Sequence, residues 1–317
     1  MLRRTLIAAT GAAIAATAMG TAAIAQDFPE RPVEFIVPWS PGGGSDTLMR
    51  IVSNTIEPYL GQPMPVINMP GVSGTVGLKE AAQRDADGYT VAQVHEGLLV
   101  SNATGITDIN WDDFDPIAAL TSSPQLLVVN ADSPWTTFEE FAAYAEENPG
   151  EVKVGVTLAG VPHLHAAMIE DAAGVEFSYV GFEGTGERIR GLVGGHIDAA
   201  IGDIASAGEF VENGDLRFLA AGSPERLEQA PDVPTFMELG HDIELSVNRG
   251  IVAPKGTPKD RLAVIEGALA ELQNDEDYLQ GLENAGAEAV FRDSEAYRAY
   301  LERLGDTVDR LSSKLEG

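Results

Sequence analysis

Four glycine-rich turns hold the residues of this chain best suited to binding chemistry. The first reads Pro38-Trp39-Ser40-Pro41-Gly42-Gly43-Gly44-Ser45-Asp46-Thr47, between an apolar run at 33–37 and a helical pattern from about residue 46. Glycines let backbone approach a ligand closely, and the free N–H groups of a helix start attract anions. Neither common nucleotide motif is present. A P-loop needs a lysine after its glycines, where Ser45-Asp46 stand, and a dinucleotide fingerprint needs a third glycine where Thr47 stands. A carboxylate site remains, with Ser45 or Asp46 as the helix N-cap. So does a capped turn without a ligand, and this loop alone does not separate the two.

The design recurs in "NMPGVSGTVG" at 68–77, "VTLAGVPHLH" at 156–165 and "GFEGTGERI" at 181–189, with Pro162 suited to a first helical turn. Loops that follow successive strands of a parallel sheet gather at one edge, so two lobes carrying such loops would face each other across a cleft. Marks of catalysis are missing. Gly71-Val72-Ser73 is not followed by the x-Gly of a nucleophile elbow. His163 and His165 lie about 200° apart on a helix and do not form a metal pair. "DADGYT" at 85–90 opens like a calcium loop, but its glycine comes too early. The chain has no cysteine, which removes thiol nucleophiles and thiolate metal sites. No catalytic residue, metal or cofactor is expected.

The elements that must position these loops follow a strand, loop, helix rhythm. Strands are expected at 33–37, 65–68 and 89–94, with helices at 46–57 and 75–84 between them. A second series starts near residue 126, with strands at 125–130, 152–156, 177–180, 197–201 and 216–221 and helices from 137, 162 and 187. A long strand at 243–254, helices at 259–273 and 275–285, a short strand at 287–291 and a helix from 294 close the chain. Such alternation predicts α/β layers on a largely parallel sheet. If the closing helices return to the first unit, the chain crosses between units twice, which makes a hinge.

At the scale of the whole chain, Arg3 and Arg4, an apolar Leu/Ala/Ile stretch and Ala23-Ile24-Ala25 have the order of a secretory leader, cleaved near Ala25; the arginine pair also admits a twin-arginine reading. The remaining residues, about 290, suit two domains or one large α/β unit. Without disulfides, an exported chain of this length must rely on its hydrophobic core. The formal charge is −29, from 20 basic and 49 acidic residues, so nucleic acid is excluded as a partner. Acidic residues are spread throughout and hydrophobic content is 44%, which fits a solvated surface, in a salty habitat or facing a cationic partner, and not disorder.

"FPERPVEFIVPWSPGGGSDTLMRI", "NMPGVSGTVGLKEAAQRDADGYT", "DFDPIAAL", "YVGFEGTGERIRGLVGGHIDAAI", "LAAGSPER", "APDVPTFMELG" and "RGIVAPKGTP" resemble, in order, the landmarks of the substrate-binding proteins of tripartite tricarboxylate transporters, also called Bug receptors. The match spans nearly all of the chain after the leader. The resemblance implies an α/β type II periplasmic binding-protein fold, with two lobes joined by a two-strand hinge. Residues 1–25 would be the signal peptide, 26–125 and 248–317 the first lobe, and 126–247 the second. It also implies a periplasmic, monomeric receptor that closes on a small organic acid, a dicarboxylate ahead of an aromatic acid, and passes it to integral-membrane permease subunits. A periplasmic sensor subunit acting with a receptor kinase is the alternative, and an enzyme on the same fold a third reading.

By position, the resemblance places Ser40, Gly43, Gly44, Ser45, Gly74 and Thr75 at one end of the ligand and Thr157, Gly160, His163, Thr185 and Asp203 in the second lobe. The third loop departs from the family pattern, with fewer hydroxyls before its histidine. Trp39 stands where phenylalanine is frequent and either stacks on a ligand or packs into the core. Arg249 either pairs with a ligand carboxylate or forms a structural ion pair.

Overall fold

A computed structural model describes residues 28–42, 44–182 and 184–315; the leader, its cleavage point and Gly43 lie outside them. The first part of the chain forms β1 (Glu34–Val37), α1 (Gly44–Thr55), α2 (Glu57–Leu60), β2 (Val66–Asn68), α3 (Thr75–Ala82), β3 (Thr90–Val94), α4 (Gly97–Ala103) and β4 (Phe114–Pro124). The second forms β5 (Leu126–Asn130), α5 (Phe138–Glu147), β6 (Lys153–Val156), α6 (Val161–Ala173), β7 (Ser178–Gly181), α7 (Thr185–Val193), β8 (Ala199–Gly202), α8 (Ile204–Glu212) and β9 (Leu216–Ala221). The chain closes with β10 (Ser246–Pro254), α9 (Lys259–Glu271), α10 (Glu276–Asn284), β11 (Glu288–Arg292) and α11 (Ser294–Leu315).

Two sheets result, a six-stranded one in the order β11-β4-β10-β3-β1-β2 and a five-stranded one in the order β7-β6-β8-β5-β9. Both are mixed, which corrects the expectation of a largely parallel sheet. Among the named strands, parallel pairing is confined to β1 with β2 and β3, and to β6 with β7 and β8. The strands that carry the chain between sheets, β4, β5 and β10, pair antiparallel with their neighbours.

Strand alternation splits the hydrophobic residues between the two faces of each sheet. On β1, Phe35 and Val37 join Leu48, Met49 and Val52 of α1 with Ile265 and Leu269 of α9, while Ile36 joins Leu78 of α3 with Tyr297 and Leu301 of α11 on the other face. On β5, Leu127 and Val129 pack with Phe138 and Phe141 of α5, while Leu126 and Val128 pack with Ile189 and Leu192 of α7. Helices therefore cover both faces of both sheets, giving two α/β lobes.

The lobes are joined where β4 and β10 run side by side, from Pro124 opposite Ser246 to Phe114 opposite Pro254. At the crossing, the Gln125 N–H donates to the Leu245 carbonyl (2.6 Å), and the Gly222 N–H donates to the Gln125 carbonyl (2.8 Å). The closing helix α11 also reaches the second lobe, where Lys314 pairs with Glu170 (2.9 Å) and Arg310 with Asp171. Among the described residues no helix is long and apolar enough to cross a membrane.

Candidate functional site

The cleft between the lobes contains a cavity of about 550 Å³. Helix starts from both sheets form much of its wall: Gly44 and Thr47 on α1, Val161 and Pro162 on α6, Thr185 on α7, and Asp203 with Ala205 at α8. Each start contributes a partial positive charge, so the cavity favours a negative guest.

Local bonds shape the two loops of the first lobe. The helix begins at Gly44, so Ser45 and Asp46 both lie inside its first turn and neither is the N-cap expected from the sequence. Asp46 reaches back instead, accepting from the Gly42 N–H (2.8 Å), Arg50 Nε (2.9 Å) and Asn68 Nδ2 (2.7 Å). Burial raises its pKa, but these bonds outweigh burial and hold the carboxyl below its ordinary value. In the second loop, residues 71 to 74 all have positive φ, at 134°, 45°, 53° and 86°. Such a conformation is strained for Val72, and backbone strain of this kind concentrates at ligand sites. The loop presents Ser73 to the cavity, while the Gly74 N–H is spent on the Gly71 carbonyl and the Thr75 hydroxyl on the Val72 carbonyl. A Cβ at Gly74 would stand 3.1 Å from Trp39 Cζ2, so glycine lets this loop press against the indole.

Trp39 stacks on His95, with centroids 4.8 Å apart and planes 11° apart, and both rings line the cavity. Trp39 also packs against the core, the second of its two expected roles, while its ring borders the cavity. Burial, and then the field of Arg249, depress the His95 pKa to about 3, so the ring is neutral at physiological pH. Its Nδ1 accepts from the Gly97 N–H (2.9 Å).

Arg249 is 9% exposed and lines the cavity from β10. Its Nε donates to Ser45 Oγ (3.0 Å) and its Nη1 to Ser123 Oγ (2.9 Å) and the Val247 carbonyl (3.2 Å), all neutral oxygens. No described carboxylate forms an ion pair with it. The buried Glu96 carboxylate is held by the Asn248 N–H (2.9 Å) and Tyr300 Oη (2.6 Å), and it influences Arg249 only through its field. Burial lowers the Arg249 pKa to about 10, which leaves the guanidinium charged at neutral pH.

In the second lobe, Thr157, Gly160, Thr185 and Asp203 line the cavity. Asp203 caps α8 by accepting from the Ser206 N–H (2.8 Å). Behind Thr157 and Thr185 lies the fully buried Arg188, bonded to both hydroxyls at 3.3 Å.

Of the residues singled out from the sequence, Trp39, Gly44, Thr157, Gly160, Thr185, Asp203 and Arg249 are thus brought together on one cavity wall. Ser45, Gly74, Thr75 and His163 are not on it. Ser45 bonds Arg249, and His163 Nδ1 accepts from the N–H of Ala159, whose φ is +52°. Ser40 is exposed away from the wall. Sequence reasoning missed His95, Ser123, Gln125 and Arg188. For Arg188 a signal existed: it lies three positions after Thr185 and four before Leu192, on the buried stripe of α7.

The sequence pattern of the tripartite tricarboxylate transporter family receptors matches residues 48–314. A UPF0065 protein encoded in the gbd 5′ region of Cupriavidus necator is 34% identical, with 100% of this chain and 98% of that one covered. Among solved structures, a ligand-free TctC solute-binding protein from Polaromonas has a TM-score of 0.82 and 33% identity over 90% of this chain and 99% of its own. Two proteins of Rhodopseudomonas palustris are also similar. Rpa4515, solved with adipate, has a TM-score of 0.75 and 25% identity over 91% of this chain and 98% of its own. MatC, solved with malate, has a TM-score of 0.70 and 27% identity over 91% of this chain and 100% of its own. The chain belongs to the tripartite tricarboxylate transporter receptor family, whose members are periplasmic solute-binding receptors and not enzymes.

Proposed function

We propose that this receptor captures a small organic acid, a dicarboxylate in preference to an aromatic acid, and delivers it to integral-membrane permease subunits. Arg249 is the observation that carries the reading. A buried guanidinium without a counter-ion costs several kcal/mol, and a ligand carboxylate in the adjoining cavity supplies the missing charge. Adipate and malate, the acids bound by the two Rhodopseudomonas proteins, are both dicarboxylates, which supports the ligand class.

The leader is removed near Ala25 and the receptor works in the periplasm as a monomer. Residues 26–125 with 248–317 then close against 126–247. A ligand touching both lobes binds the closed form better, and only that difference drives closure. Trp39, Gly44 and Arg249 hold one end of the acid, with Ser40, Gly43, Ser45, Gly74 and Thr75 shaping their loops; Thr157, Gly160, Thr185 and Asp203 meet the other end, with His163 behind them.

Thermal denaturation of refolded, ligand-free protein against mono-, di- and tricarboxylates and aromatic acids tests the reading. An acid at a hundredfold over its dissociation constant adds about 2.7 kcal/mol of stability. Arg249→Met should weaken the best acid at least about tenfold, the loss of one charge-assisted contact. A panel without any shift, or an Arg249→Met protein that binds as tightly as wild type, would sink it.

A further inference from the structure

Arg188 has the features of Arg249 without contact with the cavity. It is fully buried, and its Nε donates to the Ile201 carbonyl (2.8 Å), its Nη1 to Thr157 Oγ1 (3.3 Å) and its Nη2 to Thr185 Oγ1 (3.3 Å). Its stem lies along β6 where Gly155 leaves room, since a Cβ there would stand 2.9 Å from Arg188 Cγ. No described carboxylate forms an ion pair with it, and Asp203 acts on it only through its field. Burial lowers its pKa to about 10, so it too is charged at neutral pH. Each lobe therefore buries one cation beside the same cavity.

The chemistry of the guanidinium fixes what the threonines can do. Arginine has donors and no acceptor, so each hydroxyl oxygen must receive a hydrogen from Arg188 and turn its own proton elsewhere. Both threonines line the cavity, and no described group accepts from either hydroxyl. A hydroxyl that accepts from a cation is polarised into a stronger donor. We propose that Arg188 is a positioning residue for the far end of the ligand, holding the Thr157 and Thr185 hydroxyls as paired donors to the second carboxylate of a dicarboxylate. This rests on the reading that Arg249 holds the first carboxylate. A dianion then engages both lobes, whereas a monocarboxylate of equal length engages one, so the ligand's charge decides whether the cleft closes.

Calorimetric dissociation constants for two matched pairs, adipate with hexanoate and malate with 2-hydroxybutyrate, test this. Wild type should prefer the dicarboxylate of at least one pair. Arg188→Met and the double variant Thr157→Val/Thr185→Val should each weaken that dicarboxylate at least about tenfold, as expected for losing a charge-assisted contact, and its monocarboxylate partner less than about twofold. Arg188→Lys, which keeps the charge without the two-pronged reach, should recover only part of the preference. Arg249→Met should weaken both members of the pair. A double threonine variant that keeps the wild-type preference overturns the inference, including where Arg188→Met does not fold. Equal weakening of both pair members by Arg188→Met assigns Arg188 a structural role only and overturns it as well. If wild type binds neither dicarboxylate, the dicarboxylate assignment and this inference fail together; if Arg249→Met responds as expected and the threonine variant does not, this inference alone fails.

Discussion

Gly44 opens α1 within reach of Arg249: a Cβ built on it would stand 3.8 Å from Arg249 Nη2, in ordinary contact. A Cβ there clashes with nothing, and the branches of a larger side chain would project toward the guanidinium that a ligand carboxylate must reach. Gly44→Val should therefore weaken the best carboxylate at least about tenfold by separating it from its cation, while the melting temperature of the ligand-free protein stays within a few degrees of wild type. Calorimetry together with thermal denaturation separates the two effects. Undiminished affinity would mean that the first loop is only a turn. Gly74 differs, because its φ of +86° and its closeness to the indole of Trp39 make it a structural requirement of the second loop.

At the scale of elements, the hinge depends on how closely two distant segments approach. A Cβ on Gly222 would stand 2.4 Å from Leu245 Cβ and 2.6 Å from the Leu245 carbonyl oxygen. Even one methyl group must push the crossing segments apart and strain the bond from the Gly222 N–H to Gln125. Gly222→Ala should thus lower stability by about 2 kcal/mol, read as a shift in the denaturant midpoint. A midpoint equal to that of wild type would show that the crossing is slack. β4, the longer partner in the hinge ribbon, was not expected from the sequence. Asp115-Pro116 interrupts its pattern near the start, and Thr121, Ser122 and Ser123 are buried polar residues where hydrophobic alternation would announce a strand. The short helix α4 and helix α8 were missed as well, the latter lying between strands β8 and β9 that the pattern did announce.

The whole molecule carries a formal charge of −29 and yet is proposed to bind an anion. The conflict is one of range. Repulsion from distant surface carboxylates is screened over about 8 Å at physiological ionic strength, but over about 30 Å at 0.01 M, while contacts inside the cleft are screened much less. The association rate for adipate or malate, whichever binds, should therefore fall as ionic strength drops from about 0.15 M to about 0.01 M, because the approaching dianion then meets the field of the entire surface. Stopped-flow measurement across that range checks this. A rate that rises instead would show that the buried cations govern the field even at a distance.

What the sequence determined by itself is local. Residues close in the chain set the periodicity of α1 and β9, the glycine turns, the start of α11 at Ser294 and the α/β class, so these could be read from windows of a few residues. The ordered motifs also carried the family resemblance. Only the tertiary structure decided strand direction, the burial of Arg188 and Arg249, and which loop residues reach the cavity. Arg249 meets Ser45 and Ser123 across 204 and 126 positions of sequence, and Arg188 meets Thr157 across 31. A side chain's charge is written in its residue type, but whether that charge finds a counter-ion depends on everything folded around it. That is why Arg249 stayed undecided between ion pair and ligand, and why Arg188 passed unnoticed.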